Sequence, residues 1–143
     1  MFDLSVAEVM DPTRVLTLPP GASVTEAAQL MARNEIGAVL VVENERLVGI
    51  FTERDALFRV IACGLDVRTT RLADVMTAEP STVGPESSYG YALLMMQEKG
   101  FRHAPVVDNG KLVGIVSSRN AMDPELEEFV PEVRRRAHIR SGH

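Results

Sequence analysis

The chain has 143 residues, enough for one compact domain or for two small units that share a core. Apolar residues make up 45 % of it, but aromatics only 5 % and tryptophan is absent, which predicts an aliphatic core. The net charge of −5 argues against a nucleic-acid-binding protein, because such proteins usually carry a basic face or stripe.

The single cysteine, Cys63, excludes an internal disulfide framework and fits a reducing compartment. No apolar run approaches the ~18–20 residues that a membrane-spanning helix requires. The N-terminus lacks the basic and apolar regions of a secretory signal. We therefore expect a cytoplasmic protein without membrane contact.

The first predicted elements are a short leader that ends in Val9-Met10 and an amphipathic helix. Ser23 is suited to cap this helix, because Glu26 three residues later completes a capping box. Asn34 is a plausible end. One face of the helix is apolar, as its spacing shows: Val24, Ala27, Ala28 and Met31.

Two strands and a second helix follow. The first strand, Ala38–Val42, is apolar at every position, which is typical of a strand buried on both faces. The chain turns at 43–46 and returns as Leu47–Phe51. The second helix is predicted from Thr52 to Cys63, with Gly64 as its end and one apolar face, formed by Ala56, Leu57, Val60 and Ile61.

The chain then repeats the same plan. Val9-Met10 returns as Val75-Met76, and the segment 47–50, Leu-Val-Gly-Ile, returns unchanged at 112–115. The second copy predicts a helix from about Ser88 to Lys99 and a hairpin at Asn109-Gly110. Its last helix is cut short, because a proline follows at 124.

This repeat predicts three regions: a first repeat with its leader over 1–66, a second repeat over 67–122, and a charged helical tail over 123–143. The tail is acidic first and basic later, which suits a solvated helix and its dipole. A contact with a second copy or a partner is the alternative, and it would use Leu126, Phe129, Val130 and Val133.

The phrase Gly-Ile-x-Ser/Thr-x-x-Asp/Asn closes each copy, at 49–55 and again at 114–120, and the segment 101–108 reads Phe-Arg-His-Ala-Pro-Val-Val-Asp. In these phrases and in the order of its elements the chain closely resembles a pair of CBS domains of the stand-alone bacterial type. The resemblance implies an α+β fold of two β-α-β-β-α repeats packed by pseudo-twofold symmetry, with two clefts between them. In that family the clefts hold AMP, ADP, ATP or NAD(H), and S-adenosylmethionine is the least expected of these ligands here.

The residues themselves suggest how such a cleft would work. Thr52 and Ser117 lie where a strand passes into a helix, so a hydroxyl and the first free amides can donate to a phosphate. Asp55 offers its carboxylate to two adjacent ribose hydroxyls. Ile50 and Ile115 supply apolar surface for adenine, and Gly49 and Gly114 would let the ligand approach. Thr-x-x-Asp is, however, also a helix-capping arrangement.

The resemblance implies that each cleft draws on both copies. The cleft of Asp55 would combine residues of the first copy with two of the second: Gly37, Ile50, Thr52, Asp55, Thr77 and Arg102. The cleft of Asn120 would combine Ile115, Ser117, Asn120, Arg102, Gly37, Asp11 and Leu16. Arg102 would reach the phosphate; the alternative is an arginine at the surface without such a role. His103 beside it would form a hydrogen bond with a phosphate or ribose; the alternative is a structural role. We expect the Asp55 cleft to bind more tightly, because Asp11 stands in the other cleft where Thr77 stands in this one.

Three functions remain open from the sequence. The leading one is a regulator without catalytic or metal-binding residues, which binds an adenine nucleotide and signals to an unknown partner. The second is a dimerisation module with empty or degenerate clefts. A nucleotide hydrolase is the third, and no metal-binding cluster or nucleophile motif supports it. A homodimer is expected in any case, because Leu57, Phe58 and Ile61 cannot all face one core.

Overall fold

The computed structural model describes residues 3–122, and the predicted tail lies outside these residues. The helices are α1 (Val6–Val9), α2 (Val24–Asn34), α3 (Glu53–Asp55), α4 (Leu72–Val75) and α5 (Tyr89–Lys99). The strands are β1 (Thr17–Leu18), β2 (Ala38–Glu43), β3 (Arg46–Thr52), β4 (Thr77–Ala78), β5 (His103–Asp108) and β6 (Lys111–Ser117). The mixture of helices and strands confirms the predicted α+β class.

Three strands of the first repeat and β4, from the start of the second, form one sheet in the order β1-β2-β3-β4. β2 and β3 are antiparallel neighbours, β1 runs parallel to β2, and β4 runs antiparallel to β3. The first four residues of β2 are buried, so the prediction of a strand covered on both faces is confirmed. This sheet carries the candidate residues at the ends of β3 and β4.

Helix α2 begins and ends where its sequence predicts. The side chain of Ser23 accepts from the amide of Glu26 at 3.1 Å, and the amide of Ser23 donates to the Glu26 carboxylate at 2.9 Å, which completes the capping box. The helix ends at Asn34, and Glu35 follows in the left-handed conformation with φ 55°. In the second repeat α5 has Ser88 as its N-cap and Gly100, at φ 77°, as its C-cap, which confirms both predicted ends.

The helix after β3 differs from the prediction. It has three α-helical residues and then continues as a π-helix, Ala56–Ile61, whose wider turn changes the angle between successive side chains. The predicted apolar face was therefore wrong: Val60 is buried and Ala56 half-buried, but Leu57 and Ile61 are exposed. Its counterpart in the second repeat begins as a 3-10 helix, Ser118–Met122, and the proline that was predicted to interrupt it lies outside the described residues.

The second repeat keeps the register of the first. Leu18 pairs with Val41 in the first repeat, and the equivalent residues of the second, Val83 and Val106, form a parallel bridge. β5 and β6 form the hairpin that Asn109-Gly110 predicted, with φ 51° and 79° at these two residues. The same plan is thus built twice.

The segment that precedes each repeat, its leader, packs against the other repeat. By their contacts the described residues divide into one unit of 3–12, 82–108 and 113–122 and another of 13–81 and 109–112. The leader helix α1 lies with the second repeat, where the amide of Val6 donates to the carbonyl of Ser87 at 2.7 Å. Helix α4 lies with the first repeat, where the amide of Leu72 donates to the carbonyl of Ala22 at 2.9 Å. The sequence-based boundaries at 66/67 and 122/123 stay a prediction.

Each unit has a core of its own, which is mainly aliphatic but contains one fully buried aromatic residue. The core of the first repeat's unit surrounds Phe51 and Leu72, and that of the second surrounds Tyr89 and Met96. Val6 and Val9 of the first leader belong to the core around Tyr89. Leu72 and Val75 of the second leader belong to the core around Phe51. Within residues 3–122, no helix has the length and apolar character that a membrane crossing needs.

Candidate functional site

The first group of candidate residues lies where β3 passes into α3, and we call it the Asp55 half-site: Gly37, Ile50, Thr52, Asp55 and Thr77. The amide of Thr52 donates to Asp55 Oδ2 at 3.0 Å, and the amide of Asp55 donates to Thr52 Oγ1 at 3.1 Å. The two residues therefore form a complete capping box, and the structural interpretation of Thr-x-x-Asp is correct. Both side chains are half-buried, so they are also within reach of a ligand.

Gly37 lies directly against the start of this helix. Its carbonyl accepts from the amide of Glu53 at 3.0 Å, and a Cβ at this position would come within 2.8 Å of Glu53 Oε1. Two of the first three amides of the helix, those of Glu53 and Asp55, therefore already donate to Gly37 and Thr52. The amide of Arg54 takes part in neither bond. A phosphate would meet fewer free amides here than the sequence suggested.

Thr77 and Ile50 are direct neighbours in the sheet. They pair across β3 and β4, so the threonine hydroxyl is carried beside the end of β3. Ile50 is only 6 % exposed, which leaves a narrow strip of its side chain for an adenine ring. Leu16 belongs to the same unit, where its carbonyl accepts from the amide of Leu40, the residue that pairs with Ile50.

Arg59 joins this half-site, although the sequence had not singled it out. Its Nε lies 3.6 Å from Asp55 Oδ1, and its Nη1 donates to the carbonyls of Met76 at 2.9 Å and Val75 at 3.3 Å. The available signal was the spacing of an aspartate and an arginine four residues apart on a helix. The contact with the end of α4 was not visible in the sequence, because it joins residues 16 and 17 positions apart.

The second group, the Asn120 half-site, contains Ile115, Ser117 and Asn120 with Arg102 and His103. The amide of Ser117 donates to Asn120 Oδ1 at 2.8 Å, and the hydroxyl of Ser117 donates to the same oxygen at 3.4 Å. The carbonyl of Arg102 accepts a hydrogen bond from the amide of Ser118 at 3.0 Å. The equivalent bond in the other half-site joins the carbonyl of Gly37 and the amide of Glu53. Arg102 is exposed and His103 half-buried.

Tyr89 supports the Asn120 half-site from within the core. It is fully buried, and its hydroxyl donates to the carbonyl of Ser117 at 2.8 Å. The corresponding residue of the first repeat is Val24, which has no such group. The end of β6 is therefore held by a side chain that the end of β3 lacks.

The glycines of β3 and β6 do not leave room for a ligand, contrary to expectation. A Cβ on Gly49 would overlap with Met76 Sδ and come within 2.9 Å of its Cγ, and a Cβ on Gly114 would come within 2.6 Å of Met10 Sδ. The methionine at the end of each leader thus occupies the space over each glycine. The prediction that these methionines are packing residues agrees with their positions against the two cores.

The structure places the candidate residues in two sets. The unit of the first sheet contains Leu16, Gly37, Ile50, Thr52, Asp55 and Thr77. The other unit contains Asp11, Arg102, His103, Ile115, Ser117 and Asn120. The predicted sharing of Arg102, Gly37 and Leu16 between clefts stays a prediction. Across residues 3–122, His, Cys, Asp and Glu form no group of three that could hold a metal ion.

Comparison with known proteins identifies the repeat. The family model described as "CBS domain" matches residues 6–62 and 72–124. The meiotically up-regulated gene 70 protein of Schizosaccharomyces pombe is 39 % identical over 131 residues, which are 84 % of this chain but 18 % of that protein. The CBS domain-containing protein YhcV of Bacillus subtilis is 38 % identical over 113 residues, 79 % of both chains. The chain therefore spans only a small part of some curated relatives.

Solved structures agree with the fold. A conserved protein from Pyrococcus horikoshii superposes with a TM-score of 0.80 at 26 % identity, over 99 % of both chains. A protein from Pyrobaculum aerophilum, solved in complex with AMP, superposes with a TM-score of 0.77 at 26 % identity, over 91 % of this chain and 100 % of that one.

Proposed function

Because this chain belongs to the CBS-domain family and carries two CBS domains in tandem, we propose that it is a non-catalytic regulatory module that binds an adenine nucleotide. The ligand is AMP, ADP, ATP or NAD(H), held in the clefts that the resemblance predicts. Binding changes the module, and a partner protein responds to cellular energy or redox state. A cytoplasmic location remains the expectation from its single cysteine.

The observation that carries this proposal is the doubled strand-to-helix corner. Each corner brings together a hydroxyl, Thr52 or Ser117, and an acceptor three residues later, Asp55 or Asn120. Such a corner offers donors to a phosphate and an acceptor to a ribose. The AMP complex of the Pyrobaculum aerophilum relative supports the same class of ligand.

We expect the two half-sites to differ in affinity. A hydrogen bond to an ionised acceptor is roughly twice as strong as one to a neutral acceptor, which favours Asp55 over Asn120. In addition, Asp11 stands where Thr77 stands in the other repeat, and a carboxylate repels a phosphate. The proposal therefore assigns the tighter binding to the Asp55 half-site.

The second candidate function is a dimerisation module with degenerate clefts. It is favoured by three large apolar side chains on the π-helix, Leu57, Phe58 and Ile61, which are 51 %, 57 % and 62 % exposed. It is compatible with nucleotide binding, and we include a homodimer in the proposal. A nucleotide hydrolase has less support, because the described corners lack an activated nucleophile or a carboxylate cluster for a metal.

Thermal unfolding with a panel of nucleotides tests the proposal. At 100 times its dissociation constant a ligand should stabilise the fold by about 2.7 kcal/mol through mass action, which raises the melting temperature by several degrees. If AMP, ADP, ATP, NAD, NADH and S-adenosylmethionine at millimolar concentration all leave the curve unchanged, the module does not sense nucleotides and the dimerisation function stands.

Site variants make the same experiment specific. Asp55→Asn keeps the oxygen that caps Thr52 but removes the charge, and it should lose roughly tenfold in affinity in calorimetry with AMP. Asn120→Ala is the comparison variant in the second repeat: it removes the acceptor of that half-site and should spare the tight binding. Equal losses in both variants would contradict the assignment to the Asp55 half-site.

A further inference from the structure

We propose that Arg59 is a positioning residue of the Asp55 half-site, which sets the carboxylate of Asp55 and the segment carrying Thr77 in one geometry for a ribose 5′-phosphate. This inference rests on the proposed function, and it concerns how one of the two half-sites recognises the sugar of its nucleotide.

The first observation is that one guanidinium contacts both parts of the half-site. Its Nε faces Asp55 Oδ1 at 3.6 Å, and its Nη1 donates to the carbonyl of Met76 at 2.9 Å. Thr77 is the residue after Met76 and pairs with Ile50 in the sheet. Arg59 thus connects the candidate ribose acceptor to the backbone that carries the candidate phosphate donor.

The second observation concerns the carboxylate of Asp55, which is fixed on both sides. Oδ2 accepts from the amide of Thr52 at 3.0 Å, and Oδ1 faces Arg59. The side chain of Asp55 is 14 % exposed, so little water surrounds it, whereas that of Arg59 is 50 % exposed. Because a carboxylate has about four acceptor positions, it can hold both partners and still accept from two ribose hydroxyls. Fixing it before the ligand arrives removes an ordering cost from binding.

The third observation is that the second repeat has a different residue at the equivalent position of the sequence. A planar guanidinium can donate in several fixed directions, which a lysine ammonium cannot reproduce. The residue of the second repeat that corresponds to Arg59 is Pro124, which carries neither charge nor side-chain donor. The expected difference in affinity between the two half-sites therefore has a third cause besides Asp55 against Asn120 and Thr77 against Asp11.

The test compares AMP with 2′-deoxy-AMP in calorimetry on the full chain. In the wild type we expect AMP to bind roughly tenfold or more tightly, because the 2′-hydroxyl donates to a charged acceptor. In Arg59→Gln this preference should fall to within about threefold, because Oδ1 of the carboxylate loses its partner and only the Thr52 amide still holds Oδ2. Arg59→Lys should retain only part of the preference, and Arg33→Gln, which removes an exposed arginine from α2, should retain all of it.

The outcomes separate this inference from the function on which it rests. A wild-type protein that binds no AMP refutes both. If the wild type binds and discriminates, but Arg59→Gln weakens AMP and 2′-deoxy-AMP by the same factor, Arg59 only supports the fold and the inference is wrong. Circular dichroism and the melting temperature of each variant show that the comparison is made on folded protein.

Discussion

The most informative single residues are the two glycines that face methionines. Gly49 and Gly114 stand at equivalent places in the two repeats, and so do Met10 and Met76. Both recurrences were visible, but nothing local indicates that Met76 lies on Gly49 or Met10 on Gly114. The sequence therefore suggested an open approach for a ligand at positions that are filled by the protein itself.

A Gly49→Ala substitution tests this packing. Since the new Cβ would overlap with Met76 Sδ, we expect a loss of about 1–3 kcal/mol in the free energy of unfolding by urea. Gly21→Ala is the control, because a Cβ there meets nothing within 4 Å and should change stability little. Adding Met76→Ala to Gly49→Ala should restore part of the loss that overpacking causes. An unchanged midpoint in Gly49→Ala would show that Met76 moves aside without cost.

At the scale of elements, the ends of helices were predictable because capping is local. The start of α2 is capped by Ser23 and Glu26, which lie within its first turn. The two ends of α5 are capped by Ser88 and Gly100, which directly flank it. The π-helix after Asp55 was not predictable, because its ordinary helix-forming sequence carries no mark of a wider turn. The assignment of the leaders to the opposite repeats followed only from the family resemblance, which grouped Thr77 with Asp55 and Asp11 with Asn120, as the two units do. The local sequence does not show it, because it depends on contacts between distant parts of the chain, such as that of Ser5 with Ser88.

The two C-caps supply an element-scale prediction. Glu35 and Gly100 occupy equivalent left-handed positions, with φ 55° and 77°, but only glycine adopts this conformation without strain. We expect Glu35→Gly to raise the free energy of unfolding by about 0.5–1 kcal/mol and Gly100→Ala to lower it by about 1 kcal/mol. Differential scanning calorimetry on both variants measures the two effects, and a destabilised Glu35→Gly would mean that the glutamate side chain contributes more than its backbone strain costs.

At the scale of the whole molecule, the exposed side chains of the π-helix favour association of two copies. Leu57, Phe58 and Ile61 concentrate apolar surface on one short segment, and a twofold interface is the usual means of covering such a surface. Two copies of the 15.7 kDa chain should give a particle of about 31 kDa in size exclusion with light scattering. Phe58→Glu should shift this toward the monomer, whereas the control Glu98→Gln, on the exposed surface of α5, should not.

A single species of monomeric mass in the wild type at tens of micromolar would contradict this expectation. A dimer that persists in Phe58→Glu would instead direct attention to other exposed apolar residues, Tyr91 and Leu94 on α5.

The exchange of leaders also sets an order of events during protein synthesis. The segment around Val6 leaves the ribosome before its partner Ser87, which is translated on the order of 80 residues later and, at common elongation rates, roughly 4–16 s later. The first repeat meanwhile receives its own leader, α4, directly after its sheet. The middle of the chain can therefore fold while translation continues, whereas the apolar residues Val6 and Val9 must wait, exposed, for the second repeat to emerge.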